Sequence, residues 1–200
     1  MTIDTHTPEF DAYYRYLRGI SRKGRIYKRY FSSPLLFLCA RRYGPRIVEV
    51  GSGIGSGVLG AFPASVVGFE INPFAVEYSK NIGLRASLVN DDGSFPVEDG
   101  AFDACILDNV LEHIEAPKKV LDECSRITGR NSGLVICVPG VRGFEWDSDH
   151  KVFYDDARLR QLDDRWLLTK LFSLPILIRS DSLSKSMKQY GLVAVYRKAQ

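Results

Sequence analysis

The stretch Arg46-Ile47-Val48-Glu49-Val50-Gly51-Ser52-Gly53-Ile54-Gly55-Ser56-Gly57 decides how this chain is read. Ile47, Val48 and Val50 form an apolar run carrying one charge, Glu49, the pattern of a strand buried on both faces. The run then breaks into alternating glycines, where the backbone turns sharply and a ligand can lie against bare peptide. Val58 to Phe62 is expected to form a short helix. Its unpaired N–H groups and positive dipole end should face whatever sits over the glycines, favouring a carboxylate or phosphate.

A glycine turn after a first strand serves dinucleotides and other cofactors alike. The spacing G-x-G-x-x-G occurs at Gly55, Gly57 and Gly60, but it begins four residues after the glycine that ends the strand. Read from the strand end, the pattern is E-x-G-x-G-x-G at Glu49, Gly51, Gly53 and Gly55. This resembles the first motif of class I S-adenosylmethionine-dependent methyltransferases.

Downstream, strand and helix signals alternate, which argues for a parallel sheet with helices on both faces. Val66 to Glu70 is a second strand ending in a carboxylate, followed by Asn72-Pro73 and a helix expected over Pro73 to Asn81. Glu70 lies 19 residues beyond Gly51, about where a carboxylate accepts hydrogen bonds from vicinal ribose hydroxyls. Ala86 to Val89 is a third strand running into Asn90-Asp91-Asp92-Gly93-Ser94-Phe95-Pro96. In the family this strand commonly ends in an acidic residue five positions before a proline, which accepts from the adenine amino group. Asp91 occupies that place, and Asp92 is the alternative if the turn slips by one.

Gly100 to Ile114 resembles the family's "FD" strand and its "LEH" turn, Leu111-Glu112-His113, and puts Asp108 and Asn109 at the carboxyl end of a buried fourth strand. Pro117 is read as opening a helix through Cys124, and Leu134 to Val138 as a fifth strand stopped by Pro139-Gly140. The resemblance covers about residues 46 to 140. It implies an α/β, Rossmann-like fold with a seven-stranded mostly parallel sheet and S-adenosylmethionine as cofactor. The contacts it implies come from Glu49, Gly51, Ser52, Gly53, Gly55, Glu70, Ile71, Asn72, Asp91, Asp92, Asp108 and Asn109. Amides at Gly53 to Gly57 are expected to hold the methionine carboxylate, with Glu49 near the ammonium.

Val141 to Asp156 reads as a loop over the same sheet edge and carries Trp146, Asp147, Asp149, His150 and Tyr154. Asp155 or Asp156 is placed to cap a helix through Gln161. Trp166 to Ser173 and Tyr190 to Arg197 read as the closing strands, and Leu174 to Gln189 as part of a lid or a segment packed on Pro34 to Ala40.

Two hundred residues, 45% hydrophobic and 26% charged, suit one globular domain. It divides into a basic helical cap over 1–45, a cofactor-binding core over 46–140, and a substrate loop with closing strands over 141–200. Residues 1–46 hold ten Lys or Arg against Asp4, Glu9 and Asp11, a local charge of +7 within a total of +3. That segment also carries Tyr13, Tyr14, Tyr16, Tyr27, Tyr30, Phe31 and Phe37. One or two amphipathic helices satisfy the pattern, broken near Gly19 and Gly24 and again at Ser32-Ser33-Pro34, where Ser33 is placed to cap. The surface would attract an anionic substrate such as nucleic acid, a lipid-linked phosphate or an acidic saccharide, or else it is a solvated helix face.

Cys39, Cys105, Cys124 and Cys137 show no C-x-x-C pairing, which fits buried reduced thiols in a cytoplasmic compartment. The start Met-Thr-Ile-Asp-Thr-His lacks a secretion-signal layout, and the apolar runs Pro34 to Ala40 and Leu174 to Ile178 are too short to span a bilayer. The implied reaction moves a methyl group from a sulfonium to a nucleophile. A hydroxyl acceptor needs a general base. His150 is favoured, oriented by Asp149 or Asp147, with His113 second.

Glu112, His113 and His150 are also metal-ligand types, in an arrangement resembling the small-RNA 2′-O-methyltransferases. Those enzymes carry a further glutamate where Asn109 stands here, so no metal is expected. The acceptor is read as a hydroxyl of a small molecule or saccharide. The alternatives are an RNA methyltransferase using the basic face and a cofactor-binding, non-catalytic partner protein. Oligomeric state is left open.

Overall fold

The computed structural model describes residues 8–19 and 26–199. Helix α1, Pro8–Gly19, is followed by a π-helical turn, Lys28–Ser32, that runs straight into α2, Ser33–Arg41. The expected break at Ser32-Ser33-Pro34 does not occur, and Ser33 is a buried helical residue rather than a cap. Pro34 sits in the first turn of α2, where its missing N–H costs nothing. The expected break at Gly24 lies outside the described residues.

The chain then alternates as the apolar runs require. The elements are β1 Ile47–Val50, α3 Val58–Ala61, β2 Val66–Glu70, α4 Pro73–Asn81, β3 Ala86–Leu88 and β4 Phe102–Asp108. Then come α5 Lys118–Ile127, β5 Thr128–Pro139, α6 Val141–Trp146, α7 Asp156–Arg160, β6 Trp166–Leu174, α8 Asp181–Ser186 and β7 Gly191–Lys198. The segment expected as a loop after β5 begins instead with helix α6. It leans on α8, with the Ser184 hydroxyl accepting from the Val141 N–H at 2.9 Å. Leu174 to Gln189 thus packs on α6 through α8 and leaves Ile176, Leu177 and Ile178 exposed.

The described residues form a seven-stranded sheet in the order β3-β2-β1-β4-β5-β7-β6, parallel except for β7, which is antiparallel to both β5 and β6. Strand residues alternate between two cores. Val48, Cys105 and Leu107 join Leu121, Cys124 and Ile127 of α5 on one face, and Ile47, Ala104 and Ile106 join Leu36 and Ala40 of α2 and Leu59 of α3 on the other. Covering both faces is what makes the central strands continuously apolar. The strand order turns back between β1 and β4, which opens a crevice at their carboxyl ends, where open α/β sheets bind ligands.

Candidate cofactor cleft

Gly51, Gly53 and Gly55 have φ of 70°, 53° and 73°, a left-handed zigzag that residues with a Cβ rarely adopt. The loop then folds back so tightly that a Cβ on Gly60 would stand 2.0 Å from the Gly55 carbonyl oxygen. Two buried carboxylates hold this loop. Glu49 reaches up from β1 and accepts from the N–H groups of Val58 at 3.1 Å and Leu59 at 2.6 Å. The first amides of α3, expected to face a ligand, are therefore capped by Glu49 from within the protein. Burial, reinforced by nearby Asp108, pushes the Glu49 carboxyl up to about 7.

Glu70 accepts from the Gly53 N–H at 2.7 Å and the Asn72 N–H at 2.9 Å, latching the glycine loop to the end of β2. Burial raises its carboxyl, and these backbone donors oppose the shift. A carboxylate has about four acceptor positions, so Glu70 keeps capacity for hydroxyl donors. Its neighbours divide by accessibility. Ile71 is exposed, whereas Asn72 is fully buried, capping α4 through Oδ1 and donating from Nδ2 to the Phe10 carbonyl of α1 at 2.7 Å. Ser52 is buried beneath the loop, and its Oγ has no hydrogen-bond partner among the described residues.

Beyond β3, Asp92 Oδ1 accepts from the Ser94 N–H at 2.8 Å, and the Ser94 hydroxyl first, with this N–H, holds its carboxyl below the usual range. Asp91 is exposed beside it. At the end of β4, buried Asp108 pairs with Lys28, Oδ2 to Nζ at 3.0 Å. Burial alone would lower the Lys28 ammonium, but Asp108 and Glu49 more than offset it and raise it. Asn109 holds a left-handed φ of 56° and donates its N–H to the Cys137 carbonyl at 2.9 Å. Eighty residues separate Lys28 from Asp108 in sequence, so no local pattern announces the pair.

A single turn of 3₁₀-helix, Leu111–His113, follows β4 and carries the remaining polar groups. The Glu112 carbonyl accepts from the N–H groups of Lys151 at 2.7 Å and Val152 at 3.0 Å, which brings the segment after α6 across the turn. The His113 and His150 rings consequently lie 4.7 Å apart. Asp149, one of the two residues expected to orient His150, pairs instead with His113, Oδ2 to Nδ1 at 3.0 Å. The reason is local. Asp147 accepts from the Asp149 N–H and the His150 N–H, a tight turn that separates the two side chains. His150 is oriented instead by the Phe144 carbonyl, 2.9 Å from Nδ1. Burial, helped by neighbouring His150, lowers His113, while Glu112 is pushed up to about 8 chiefly by burial.

Among the described residues, five of the ten Lys or Arg of residues 1–46 have partners within the protein, Arg15 and Arg46 while staying largely exposed. Arg15 pairs with Asp11, Lys28 with Asp108, Arg46 with Asp103, Arg29 donates to the Gly60 carbonyl, and Arg18 lies over the rings of Tyr14 and Tyr78. All four cysteines are unpaired. Among the described residues, no helix is long and apolar enough to cross a membrane.

Residues 48–137 match the family described as a methyltransferase domain. An uncharacterised protein of Methanocaldococcus jannaschii is 25% identical over 123 residues, which cover 58% of this chain and 59% of that protein. The match thus spans less than two thirds of that relative. Among solved structures, a chain from the complex of the Haloferax volcanii Trm112 methyltransferase activator with a putative methyltransferase superposes at a TM-score of 0.74, with 18% identity over 96% of this chain and 98% of that one. A possible histamine N-methyltransferase of Thermotoga maritima gives 0.68 with 15% identity over 95% and 100%. Geranyl diphosphate C-methyltransferase of Streptomyces coelicolor, in complex with Mg²⁺, geranyl diphosphate and S-adenosyl-L-homocysteine, gives 0.69 with 12% identity over 98% and 100%.

Sheet order and glycine loop are those of a Rossmann-like α/β fold, within which residues 48–137 match a methyltransferase domain.

Proposed function

We propose that this protein methylates a hydroxyl of a small molecule or saccharide. The observation that carries this reading is the compact cluster of Glu112, His113, Asp149 and His150 at the carboxyl edge of β4. A neutral hydroxyl is a poor nucleophile and must be activated, and imidazoles held by a carboxylate and a carbonyl suit that task.

In this reading S-adenosylmethionine supplies an electrophilic methyl group on a sulfonium. Glu70 accepts from its ribose hydroxyls with the acceptor capacity its two backbone donors leave. The backbone from Gly51 to Gly55 lies under the methionine portion. The exposed carboxylate of Asp91 faces the adenine amino group, since Asp92 is held in its own turn. Asp108 and Asn109 border the methionine end, and His150 takes the acceptor proton. The test is transfer of a labelled methyl group into a cell extract separated into RNA, lipid-linked and soluble fractions. Label in the soluble or saccharide fraction is expected, label in RNA overturns the acceptor class, and no label in any fraction overturns the enzyme reading.

A further inference from the structure

We propose that Glu112, His113 and His150 form a binding site for a divalent first-row transition metal ion. Although Asn109 removes a fourth ligand that sequence reasoning would require, the tertiary arrangement supplies three donors that converge. One ligand atom from each residue lies within 4.8 Å of the other two.

Glu112 is the decisive group. Its side chain is 1% exposed, and neither carboxylate oxygen has a hydrogen-bond partner among the described residues. Leaving a buried carboxylate ionised and unpaired is costly unless a proton or a cation compensates it. The obvious protein partner does not do so. His150 Nε2 lies 3.9 Å from Glu112 Oε1, too far for a hydrogen bond. Two donors bound to one ion at about 2.0 to 2.2 Å stand roughly 3 to 3.5 Å apart, so the 3.9 Å pair closes with a few tenths of an ångström and any wider pair, all being within 4.8 Å, with at most about 1.5 Å.

The imidazoles are already prepared. A carbonyl oxygen only accepts, so the 2.9 Å contact with Phe144 puts the His150 proton on Nδ1 and leaves the Nε2 lone pair toward Glu112. The Phe144 ring stacks on the same imidazole with centroids 5.3 Å apart. Asp149, 3.0 Å from His113 Nδ1, is the outer carboxylate that metal-bound histidines ordinarily have. Two imidazoles with one carboxylate select zinc, manganese, iron or cobalt over magnesium or calcium, which prefer all-oxygen shells. Three protein ligands leave positions open for water or an acceptor oxygen, whose proton the ion would make easier to lose, so that with the ion bound His150 serves as a ligand and acts as the base only in the metal-free protein. That chemical role rests on the methyltransferase reading, whereas the binding itself does not.

The test uses the full chain, stripped with chelator and titrated with Co²⁺ by its visible absorption and with Zn²⁺ by calorimetry. S-adenosylmethionine binding is measured in parallel without metal. One equivalent of either ion should bind, with Glu112→Gln and His150→Asn each weakening it by about 100-fold or more and Asp149→Asn by about 10-fold. Retained cofactor affinity in these variants reports that they fold. Absence of stoichiometric Co²⁺ and Zn²⁺ binding, or binding indifferent to Glu112→Gln and His150→Asn, overturns the site and leaves the methyltransferase reading intact. Failure of the metal-free protein to bind cofactor would instead count against that reading alone.

Discussion

Lys28 Nζ, delivered by the π-helical turn ahead of α2, lies 3.0 Å from Asp108 Oδ2 at the carboxyl end of β4. The N-terminal cap is thus tied electrostatically to the middle of the sheet. Removing one partner of a buried pair leaves the other charge uncompensated, and the 30% exposure of the Lys28 side chain reduces the cost. Lys28→Met should lower the stability of the ligand-free protein by about 1 to 3 kcal/mol, read from urea unfolding. An unchanged midpoint would show that the pair contributes nothing net.

Glu70 should affect both loop and ligand. Glu70→Ala removes the acceptor for the Gly53 N–H and a charged acceptor for ribose hydroxyls, each such bond being worth about 1.5 to 3 kcal/mol. Calorimetry should show cofactor affinity falling by at least about tenfold. Equal affinity in the variant would remove Glu70 from the ribose site.

Glycines in the loop are predicted to separate. A Cβ on Gly60 would meet backbone 2.0 Å away, so Gly60→Ala should yield little folded protein. At Gly53 the nearest contact would be Leu17 at an ordinary 3.5 Å, and the cost is chiefly the left-handed φ, about 1 to 2 kcal/mol. Gly53→Val should therefore fold, as judged by circular dichroism, yet fail to bind cofactor. Normal binding would place the ligand elsewhere.

Glu49 and Glu112 hold their protons more tightly when buried in the fold, to about 7 and about 8, against 4.5 in an open chain. Between those limits the folded state binds more protons than the unfolded state, so stability falls as pH rises from about 4.5 to 8. The metal-free protein should melt lower at pH 8.5 than at pH 5.5, by about 2 to 4 °C per kcal/mol of linkage. Glu112→Gln should flatten the trend. A melting point that rises across this window would contradict the burial of both groups.

His150→Ala should lower turnover far more than cofactor affinity, because its ring faces the Glu112 side of the cleft and not the Glu70 latch. Single-turnover rates with saturating cofactor measure this directly. Unaltered turnover would eliminate His150 from acceptor activation.

Most of the sheet was legible because burial on two faces writes an unbroken apolar run into each central strand, and Ile47–Val50, Val66–Glu70 and the Phe102–Asp108 strand all fall where those runs lie. Helix α6 was not legible. Val141–Trp146 buries no residue completely and takes its place from Ser184 of α8, a contact 43 residues away. Nor was the uninterrupted passage through Ser32-Ser33-Pro34, where serine and proline fit a cap and a helix interior alike.

The sequence alone determined the class of fold and the identity of the glycine loop, since both depend on local periodicity and on residues able to adopt left-handed φ. Tertiary structure decided which carboxylates carry which burden. Glu49 caps α3, Glu70 latches Gly53, Asp108 meets Lys28, and Glu112 lies buried beside two imidazoles with no hydrogen-bond partner among the described residues. Those assignments depend on distances between segments far apart in the chain, and hydrogen bonds and charges respond to ångströms in space, to which sequence spacing is blind.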